Sequence, residues 1–323
     1  MFKKPIYNAD KTECLEIGYF TNEAGEIQIE QFLPTTKKVP KVLPKQITSL
    51  FSAFYENTNE FIDGIQYWDT SNVTDMHFMF SRVTSFNQDI SMWNTSNVKD
   101  MSGMFCFAES FNQPIGNWDT SSVTDMGGMF YKAKKFNKDL SNWDVSKVTN
   151  MNGMFKGAKS FNKSISNWNT SNVKDMSGMF CFAESFNQPI GNWDTSSVTD
   201  MGGMFYKAKK FNKDLSNWDV SNVKNMESMF NGAQNFNQNL NNWNTSNVTN
   251  MEYMFYEAKS FNQPIGNWNT SNVTNMEFMF DDTVSFNQDL SKWNTSKVVN
   301  KHNQNIGFVN PNWKSEHHPK FTK

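Results

Sequence analysis

Four aspartates at equivalent positions of a recurring segment are the first residues whose chemistry suggests catalysis. They are Asp89, Asp139, Asp214 and Asp289, and a pair of carboxylates is the usual acid and base of glycoside hydrolysis. Pro114 occupies the same position in another copy of that segment. A position that accepts proline is typical of an exposed, extended backbone and not of a carboxylic acid with a tuned pKa. The sequence therefore predicts no catalytic residue and a protein that is not an enzyme.

The four histidines are the next candidates, because imidazole is a common metal ligand. His77, His302, His317 and His318 do not recur from copy to copy, and none has a cysteine or a carboxylate at the sequence spacing of a metal motif. His317 and His318 lie in a C-terminal segment that is expected to be a mobile tail. We therefore expect no metal site and no cofactor.

Columns of Asp and Asn recur along the chain, and a stack of such side chains is one way to bind calcium ions. Asp and Asn alternate freely in one column, as at Asp69 and Asn94, and the glycine-rich nonapeptide of calcium-binding rolls is missing. Turn and capping roles are therefore favoured. A second column begins at Asn87 and is always asparagine. We expect each of its side chains to hydrogen-bond the turn backbone of the next coil.

Lysine clusters are candidates for binding acidic ligands such as glycosaminoglycans or phosphate-rich surfaces. One cluster and its copy consist of Lys132, Lys134, Lys135, Lys138, Lys207, Lys209, Lys210 and Lys213. A solvated positive face is the alternative interpretation.

Six aromatic residues at variable positions are candidate anchors for a partner, because aromatic side chains dominate interface energetics. They are Phe107, Tyr131, Phe182, Tyr206, Tyr253 and Tyr256. The alternative is that they cover the edge of the core.

All these candidates belong to one repeat, which organises most of the chain. A tryptophan recurs every 25 residues from Trp68 to Trp293, and Met, Phe, Asn and Ile or Leu recur at fixed distances after it. A period of this length predicts a solenoid whose units stack on their neighbours. Residues 93–146 and 168–221 are identical. A catalytic residue in this block would be present twice, which is rare among enzymes.

The spacing of apolar residues predicts the local structure of one repeat. Val, Met, Met-Phe and Ala follow one another at spacings of three and four, which is typical of one face of a short helix, with Asp75 as its N-cap. The run from Phe to Trp, as in Phe111 to Trp118, ends in a turn motif and is expected to be the extended side of the coil. The predicted fold is an α/β repeat of about ten coils, each with a short strand and a short helix.

Three segments are predicted along the chain. Residues 1–42 alternate apolar and polar side chains around a Thr-Asn-Glu-Ala-Gly motif, which predicts a β-hairpin that caps the array. Residues 43–300 form the solenoid, and 43–67 are its degenerate first repeat. Residues 301–323, which include Trp313, are expected to form a C-terminal cap and a basic tail.

Charge and composition exclude several classes of partner. The net charge of −2 provides no basic field for nucleic acid or an anionic membrane, and no apolar run is long enough to span a bilayer. The N-terminus has neither the apolar region of a signal peptide nor a lipidation cysteine. Either the protein is not exported or a leader has been removed. The three cysteines do not predict a disulfide framework.

The motif of the repeat is specific enough for comparison with a known family. It includes Phe86-Asn-Gln-Asp-Ile-Ser, Trp93-Asn-Thr-Ser-Asn-Val-Lys-Asp-Met101 and Met104-Phe105. At these residues the repeat resembles the mycoplasma-type members of the BspA-like leucine-rich repeat surface proteins, over roughly residues 43–300. The resemblance implies a right-handed leucine-rich-repeat-like solenoid on the cell surface, often in a lipoprotein. It implies roles in adhesion, host-protein binding or antigenic variation, and no catalytic motif.

These observations favour a non-enzymatic surface protein that binds a protein or a glycan, for example on a host surface. The core positions are nearly constant while the outward positions vary, which suits recognition of large partners by an extended surface. The alternative is an intracellular scaffold of the same fold, because the chain has no export signal, and the cytoplasm is then its location. A carbohydrate-active enzyme is the third interpretation. The oligomeric state is not predicted.

Overall fold

A computed structural model describes residues 1–321 of the chain and divides the protein into two compact units. Unit 1 consists of Met1–Asn150 and Met154–Lys163, and unit 2 consists of Met151–Gly153 and Ser164–Lys323. Within each unit, successive repeats stack through hydrogen bonds between main-chain groups about one repeat apart. Each repeat therefore buries its apolar side against its neighbours.

The N-terminal segment of unit 1 contains five short strands. They are β1 (Phe2–Lys3), β2 (Ile6–Tyr7), β3 (Cys14–Glu16), β4 (Tyr19–Thr21) and β5 (Ile27–Ile29). β4 lies between β1 and β5 in an antiparallel sheet, β2 pairs antiparallel with β3, and β4 and β5 form a hairpin. The N–H groups of Ile29 and Phe32 donate to the carbonyls of Ser49 and Ala53, both at 2.9 Å. The hairpin is therefore joined to the first repeat.

The helix predicted for each coil is absent from residues 1–321, so the α/β, leucine-rich-repeat-like fold prediction is wrong. The helical turns in this part of the chain are three short 3₁₀ helices, Ile65–Tyr67, His302–Gln304 and Ser315–His317. Phe78 and Arg82, within the first segment predicted to be helical, have φ angles of 53° and 61°. Left-handed residues end a right-handed helix, and the equivalent positions of later repeats also have positive φ.

A series of turns takes the place of the helix. The N–H groups of Met76, Phe78 and Phe80 each donate to a carbonyl of the next repeat at 2.9 Å, whereas the N–H of Met79 closes a turn onto the Met76 carbonyl at 3.2 Å. These turns bury apolar side chains at spacings of three and four, as one face of a helix would. The spacing therefore suggested a helix, although the hydrogen-bond partners lie in the neighbouring repeat and not four residues back.

The parallel pairing does not involve the predicted strand. Single-residue bridges join Asp75, Asp100, Asp125 and Asn150 within unit 1, and an equivalent series from Asp175 to Asn275 lies within unit 2. The run from Phe to Trp forms no strand in the described repeats. Several copies of this run contain proline, which lacks the N–H that a ladder requires.

The invariant asparagine column connects successive repeats within the run from Phe to Trp. The side-chain oxygen of Asn87 accepts a hydrogen bond from the N–H of Asn112 at 2.9 Å. That of Asn112 accepts one from the N–H of Asn137 at 3.0 Å. The same contact joins Asn187 to Asn212 in unit 2, at 3.0 Å. The predicted structural role of this column is confirmed, because its side chains satisfy backbone groups that would otherwise lack a partner.

Columns of identical aromatic rings form the core. In unit 1 the ring centroid of Phe105 lies 5.8 Å from that of Phe80 and 5.7 Å from that of Phe130, and the rings are nearly parallel. The indole N–H of Trp93 donates to the Ile65 carbonyl at 2.9 Å. Because each ring packs against the same ring of the next repeat, a change at one core position affects two interfaces.

The C-terminal segment covers the last repeat of unit 2. The Trp313 ring contacts those of Phe280 and Phe286 at centroid distances of 5.4 and 5.3 Å. The His317 carbonyl accepts the N–H of Leu290 at 2.8 Å, and the His318 ring lies 4.4 Å from that of Trp313. The expectation that these two histidines lie in a mobile tail is therefore wrong. The last two residues of the predicted basic tail lie outside the described residues.

Candidate functional site

The turn after the Met-Phe pair of each repeat carries the predicted aromatic residues to the surface. Phe107 has a φ of 58°, and its N–H donates to the Tyr131 carbonyl of the next repeat at 2.6 Å. Its side chain is partly exposed, while the adjacent Cys106 is buried. In the stack, the equivalent residues of the two flanking repeats, Arg82 and Lys132, lie beside Phe107. Each variable position therefore becomes a row of side chains on the surface.

In unit 1 two aromatic rings and three cations form a cluster that we call the cationic aromatic row. Its members are Arg82, Phe107, Tyr131, Lys132 and Lys156. The two rings meet edge to face at 5.0 Å. The Arg82 guanidinium and the Lys132 ammonium lie 5.0 and 4.7 Å from the Phe107 centroid, and the Lys132 and Lys156 ammonium groups lie 5.5 and 5.4 Å from that of Tyr131. Such contacts stabilise the positions of the cations.

Unit 2 contains a smaller copy of this row. The rings of Phe182 and Tyr206 meet edge to face at 5.1 Å, and the Lys207 ammonium lies 5.4 and 5.3 Å from their centroids. The positions equivalent to Arg82 and Lys156 hold Gly157 and Asn231. The copy therefore has the same pair of rings with fewer cations.

The remaining two predicted aromatic residues lie among acids. Tyr253 and Tyr256 meet edge to face at 5.6 Å. They line a shallow depression with Glu227 and Glu257, and Tyr206 and Lys207 line the same depression. Burial, and then the charges of Glu227 and Glu277, raise the pKa of the neighbouring Glu252 carboxyl. The smaller row of unit 2 therefore borders a surface that carries both acids and a cation.

The predicted lysine cluster does not converge on one point. Lys132 lies on the aromatic rings, whereas the Lys134 ammonium pairs with Glu109 at 2.8 Å. Lys135 and Lys138 line two separate depressions. In the copy, Lys207 lies on the rings. Of the others, Lys209 and Lys210 are exposed and Lys213 is half-buried.

Sequence reasoning missed Arg82 and Lys156, although a signal was present. Arg82, Phe107 and Lys132 hold one position of three successive repeats, and Tyr131 and Lys156 share the adjacent position. A search for residues that are close together in the sequence does not find this row, because its members lie in different repeats. Grouping them by position in the repeat predicts the row, because stacking brings equal positions together.

A second cluster that the sequence analysis missed contains Asp75, His77 and Asp100. One oxygen or nitrogen atom of each side chain lies within 4.8 Å of the corresponding atoms of the other two. The Asp75 carboxylate is 7% exposed; one of its oxygens contacts the His77 Nδ1, and the other accepts the Ser49 hydroxyl at 2.7 Å. The spacing argument against a metal site fails for His77, because Asp100 reaches it from the next repeat.

The charges of this cluster are interdependent. Burial raises the pKa of Asp75, but hydrogen bonds from His77 and Ser49 outweigh it, and the net shift is downward. Burial lowers the pKa of His77, but the hydrogen bond and charge of Asp75, with the charges of Asp100 and Glu26, produce a net upward shift. Burial raises the pKa of Asp100 despite the hydrogen bonds that it accepts from Ser102.

The aspartates first considered as catalytic groups form local turns. The Asp89 carboxylate accepts the Ser91 N–H at 2.9 Å, and that of Asp139 accepts the Ser141 N–H at 2.8 Å. The Ser141 backbone and hydroxyl groups lower the pKa of Asp139. A general acid in glycoside hydrolysis instead requires a raised pKa.

Comparison with known proteins identifies a family but no characterised relative. No curated protein matches the chain. Residues 48–164, 138–239 and 212–312 each match the family described as Mycoplasma protein of unknown function, DUF285. The matches cover the repeats and support the mycoplasma-type part of the resemblance, but not its leucine-rich-repeat part. Within residues 1–321, no helix has the length and apolar character needed to cross a membrane. The chain belongs to this family of Mycoplasma proteins of unknown function, DUF285.

Proposed function

We propose that the protein is a non-enzymatic surface protein that binds an anionic glycan through the cationic aromatic row. The observation that carries this proposal is the cluster of three cations around the rings of Phe107 and Tyr131. Sugar rings pack on aromatic faces and edges, while sulfate or carboxylate groups pair with Lys and Arg. None of the three cations forms an ion pair with another residue among residues 1–321.

The backbone under the row supports recognition, because it is already ordered. The N–H groups of Arg82, Phe107 and Lys132 donate to carbonyls of the next repeat at 2.7, 2.6 and 2.7 Å. A surface that needs little ordering on binding loses less free energy to conformational entropy. The row therefore holds the main chain of these residues at a fixed spacing.

The electrostatics favour local attraction. The chain as a whole has a net charge of −2, so binding of an anion depends on this patch and not on a global field. Exposed charge contacts weaken as salt screens them. Binding to an anionic glycan is therefore expected to decrease as the salt concentration rises.

The proposed location is the surface of the cell, and the proposal includes the absence of catalysis. The resemblance of the repeat to BspA-like surface proteins supports the location. Local turn bonding of the aspartates supports the absence of catalysis. Protease treatment of intact cells tests the location, because a surface protein is removed while a cytoplasmic one survives.

Binding of the purified chain to an array of glycans and extracellular-matrix proteins, at low and moderate salt, tests the function. The double variant Lys132→Gln/Lys156→Gln is expected to bind an anionic glycan at least about tenfold more weakly, since two charge contacts of about 1 kcal/mol each are lost. The matched control is Lys209→Gln/Lys210→Gln, which removes the same charge from exposed positions in unit 2.

Three outcomes would overturn the proposal. Equal loss in both double variants would show that only net charge matters. Binding to an acidic protein and to no glycan would replace the proposed partner class. No binding on the array would remove the support for a role in adhesion.

A further inference from the structure

We propose that Asp75, His77 and Asp100 form a binding site for a divalent transition-metal ion, with Zn²⁺ as the ion that suits these donors best. The site lies on the column of parallel bridges in unit 1 and shares no residue with the cationic aromatic row. It does not depend on the proposed glycan binding.

The geometry of the three side chains is close to what such an ion requires. Their donor atoms lie within 4.8 Å of one another. Zinc binds imidazole nitrogen and carboxylate oxygen at about 2.0–2.2 Å, so two ligand atoms of a tetrahedral ion are about 3.3–3.6 Å apart. A movement of about 1 Å by the His77 ring and the half-buried Asp100 carboxylate, in which the ion replaces the hydrogen bond between His77 Nδ1 and Asp75, gives this spacing. Three protein ligands and one water complete a tetrahedral site.

The donor set selects among ions. An imidazole nitrogen with two carboxylate oxygens suits zinc and similar metals, whereas magnesium and calcium prefer oxygen alone. The Ser49 and Ser102 hydroxyls donate to the Asp75 and Asp100 carboxylates at 2.7 and 2.6 Å. The Phe51 ring stacks on that of His77 at 4.1 Å. Such surrounding contacts hold metal ligands in orientation.

An independent observation comes from the rest of the acidic column. Where the column passes from Asp to Asn, the amide donates a hydrogen bond to the neighbouring acid: the Asn150 amide nitrogen lies 3.2 Å from an oxygen of Asp125. Asn225 makes the same contact with Asp200 at 3.2 Å. Asp100 instead lies between two acids of the column, Asp75 and Asp125.

Asp100 also has an oxygen available for a ligand. One of its carboxylate oxygens accepts the Ser102 N–H and hydroxyl, at 2.8 and 2.6 Å, and the other accepts no hydrogen bond within the described part of the chain. A bound cation would contact this oxygen, whereas elsewhere in the column an asparagine amide donates a hydrogen bond to the acid.

The duplicated segment provides an internal control. Asp175 and Asp200 are the exact sequence counterparts of Asp100 and Asp125, but the position of His77 holds Asn152 there. The Asn152 amide donates to the Ser177 hydroxyl at 2.8 Å. The second copy therefore retains only the counterpart of Asp100, because Asn150 and Asn152 hold the positions of Asp75 and His77, and we expect it not to bind zinc.

The test is titration of the EDTA-treated full chain with Zn²⁺, followed by calorimetry and by thermal unfolding. Wild type is expected to bind one Zn²⁺ at this site with a rise in Tm. His77→Asn and Asp100→Asn are each expected to weaken this binding at least about tenfold, as loss of a ligand does. Asp175→Asn is the matched control and should bind as wild type does. Cobalt substitution should show ligand-field absorption in wild type that His77→Asn lacks.

Folding failure does not confuse this test, because Asn occupies both substituted positions in other repeats, as at Asn152 and Asn150. Circular dichroism of each variant checks that the repeat is intact. The proposal is overturned if wild type does not bind Zn²⁺ or if His77→Asn binds as tightly as wild type. Equal weakening by Asp175→Asn would show binding to the acidic column in general and would overturn it too.

Discussion

The two identical segments, residues 93–146 in unit 1 and 168–221 in unit 2, show what a repeat determines by itself. Phe107 and Tyr131 meet edge to face at 5.0 Å, and Phe182 and Tyr206 do so at 5.1 Å. The buried Phe column also has the same spacing, with 5.7 Å both from Phe105 to Phe130 and from Phe180 to Phe205. Identical sequence gives the same packing in both units.

The surroundings of the two segments differ. Arg82 and Lys156 extend the row in unit 1. The corresponding positions of the repeats that flank the second segment hold glycine and asparagine instead. In unit 1 the residue beside Asp100 is His77, whereas the residue beside Asp175 is an asparagine. Packing is thus set within the repeat, while surface chemistry depends on which residue the neighbouring repeat places at the same position.

The largest expected effect is on stability. Loss of a core ring should lower the free energy of unfolding equally in the two copies. Phe105→Ala and Phe180→Ala each remove a fully buried ring and should lower the free energy of unfolding by about 3–5 kcal/mol. Urea unfolding followed by tryptophan fluorescence measures this. A difference between the two variants above about 2 kcal/mol would contradict the view that packing is set within the repeat. Lys135→Ala, at an exposed position, is the control.

A smaller effect is expected to differ between the copies. Gly103 and Gly178 have φ angles of 59° and 62°, and alanine at such an angle costs about 1–2 kcal/mol. At Gly103 an added Cβ would also lie 2.3 Å from the ring of Phe78. The equivalent residue in the second copy is Gly153, which has no ring. We therefore expect Gly103→Ala to destabilise the protein by about 1 kcal/mol more than Gly178→Ala.

A double variant separates strain from steric overlap in that comparison. Phe78→Gly gives the first copy the glycine that Gly153 provides in the second, so Phe78→Gly/Gly103→Ala corresponds to the Gly178→Ala variant. The additional cost of Gly103→Ala should therefore disappear in that background, when each single variant is measured by the same urea titration. If the additional cost persists without the ring, steric overlap with Phe78 is not its cause.

The contrast between packing and surface chemistry also shows which features of this protein could be predicted from its sequence. The period, the buried Met and Phe positions and the role of Asn87 follow from residue spacing, because stacking on a neighbour imposes the same constraint on every repeat. The turns could not be distinguished from a helix, since both bury residues at spacings of three and four. Phe78 and Arg82 do not themselves indicate a positive φ, but glycine at the position of Phe78 in five other repeats was a signal for it that the spacing argument did not use. His77 and Asp100 meet only once the stacking is known.

Removing a cation from an aromatic ring should lower the free energy of unfolding by less than about 1 kcal/mol. Lys207→Met keeps the aliphatic stem but removes the ammonium over Phe182 and Tyr206, and should cost about 0.5 kcal/mol. Lys132→Met should cost less, because Arg82 remains over Phe107 and repulsion between cations is relieved. Thermal unfolding at low and high salt measures both. A larger loss for Lys132→Met would show that the row stabilises the fold more than its copy does.

The smallest effect concerns acid stability, and it should be the same in both copies. Hydrogen bonds from the Ser121 hydroxyl and N–H lower the pKa of Asp119, and Ser196 does the same for Asp194. A carboxyl whose pKa is lower in the folded state stabilises the protein above its unfolded pKa, and that contribution is lost as pH falls through the folded pKa. Asn94 accepts the equivalent N–H at 3.0 Å. Asp119→Asn and Asp194→Asn should therefore keep the turn, change stability at pH 7 by less than about 0.5 kcal/mol and reduce its decline below about pH 4. Unequal acid profiles of the two variants would show that the neighbouring repeats also affect these exposed turns.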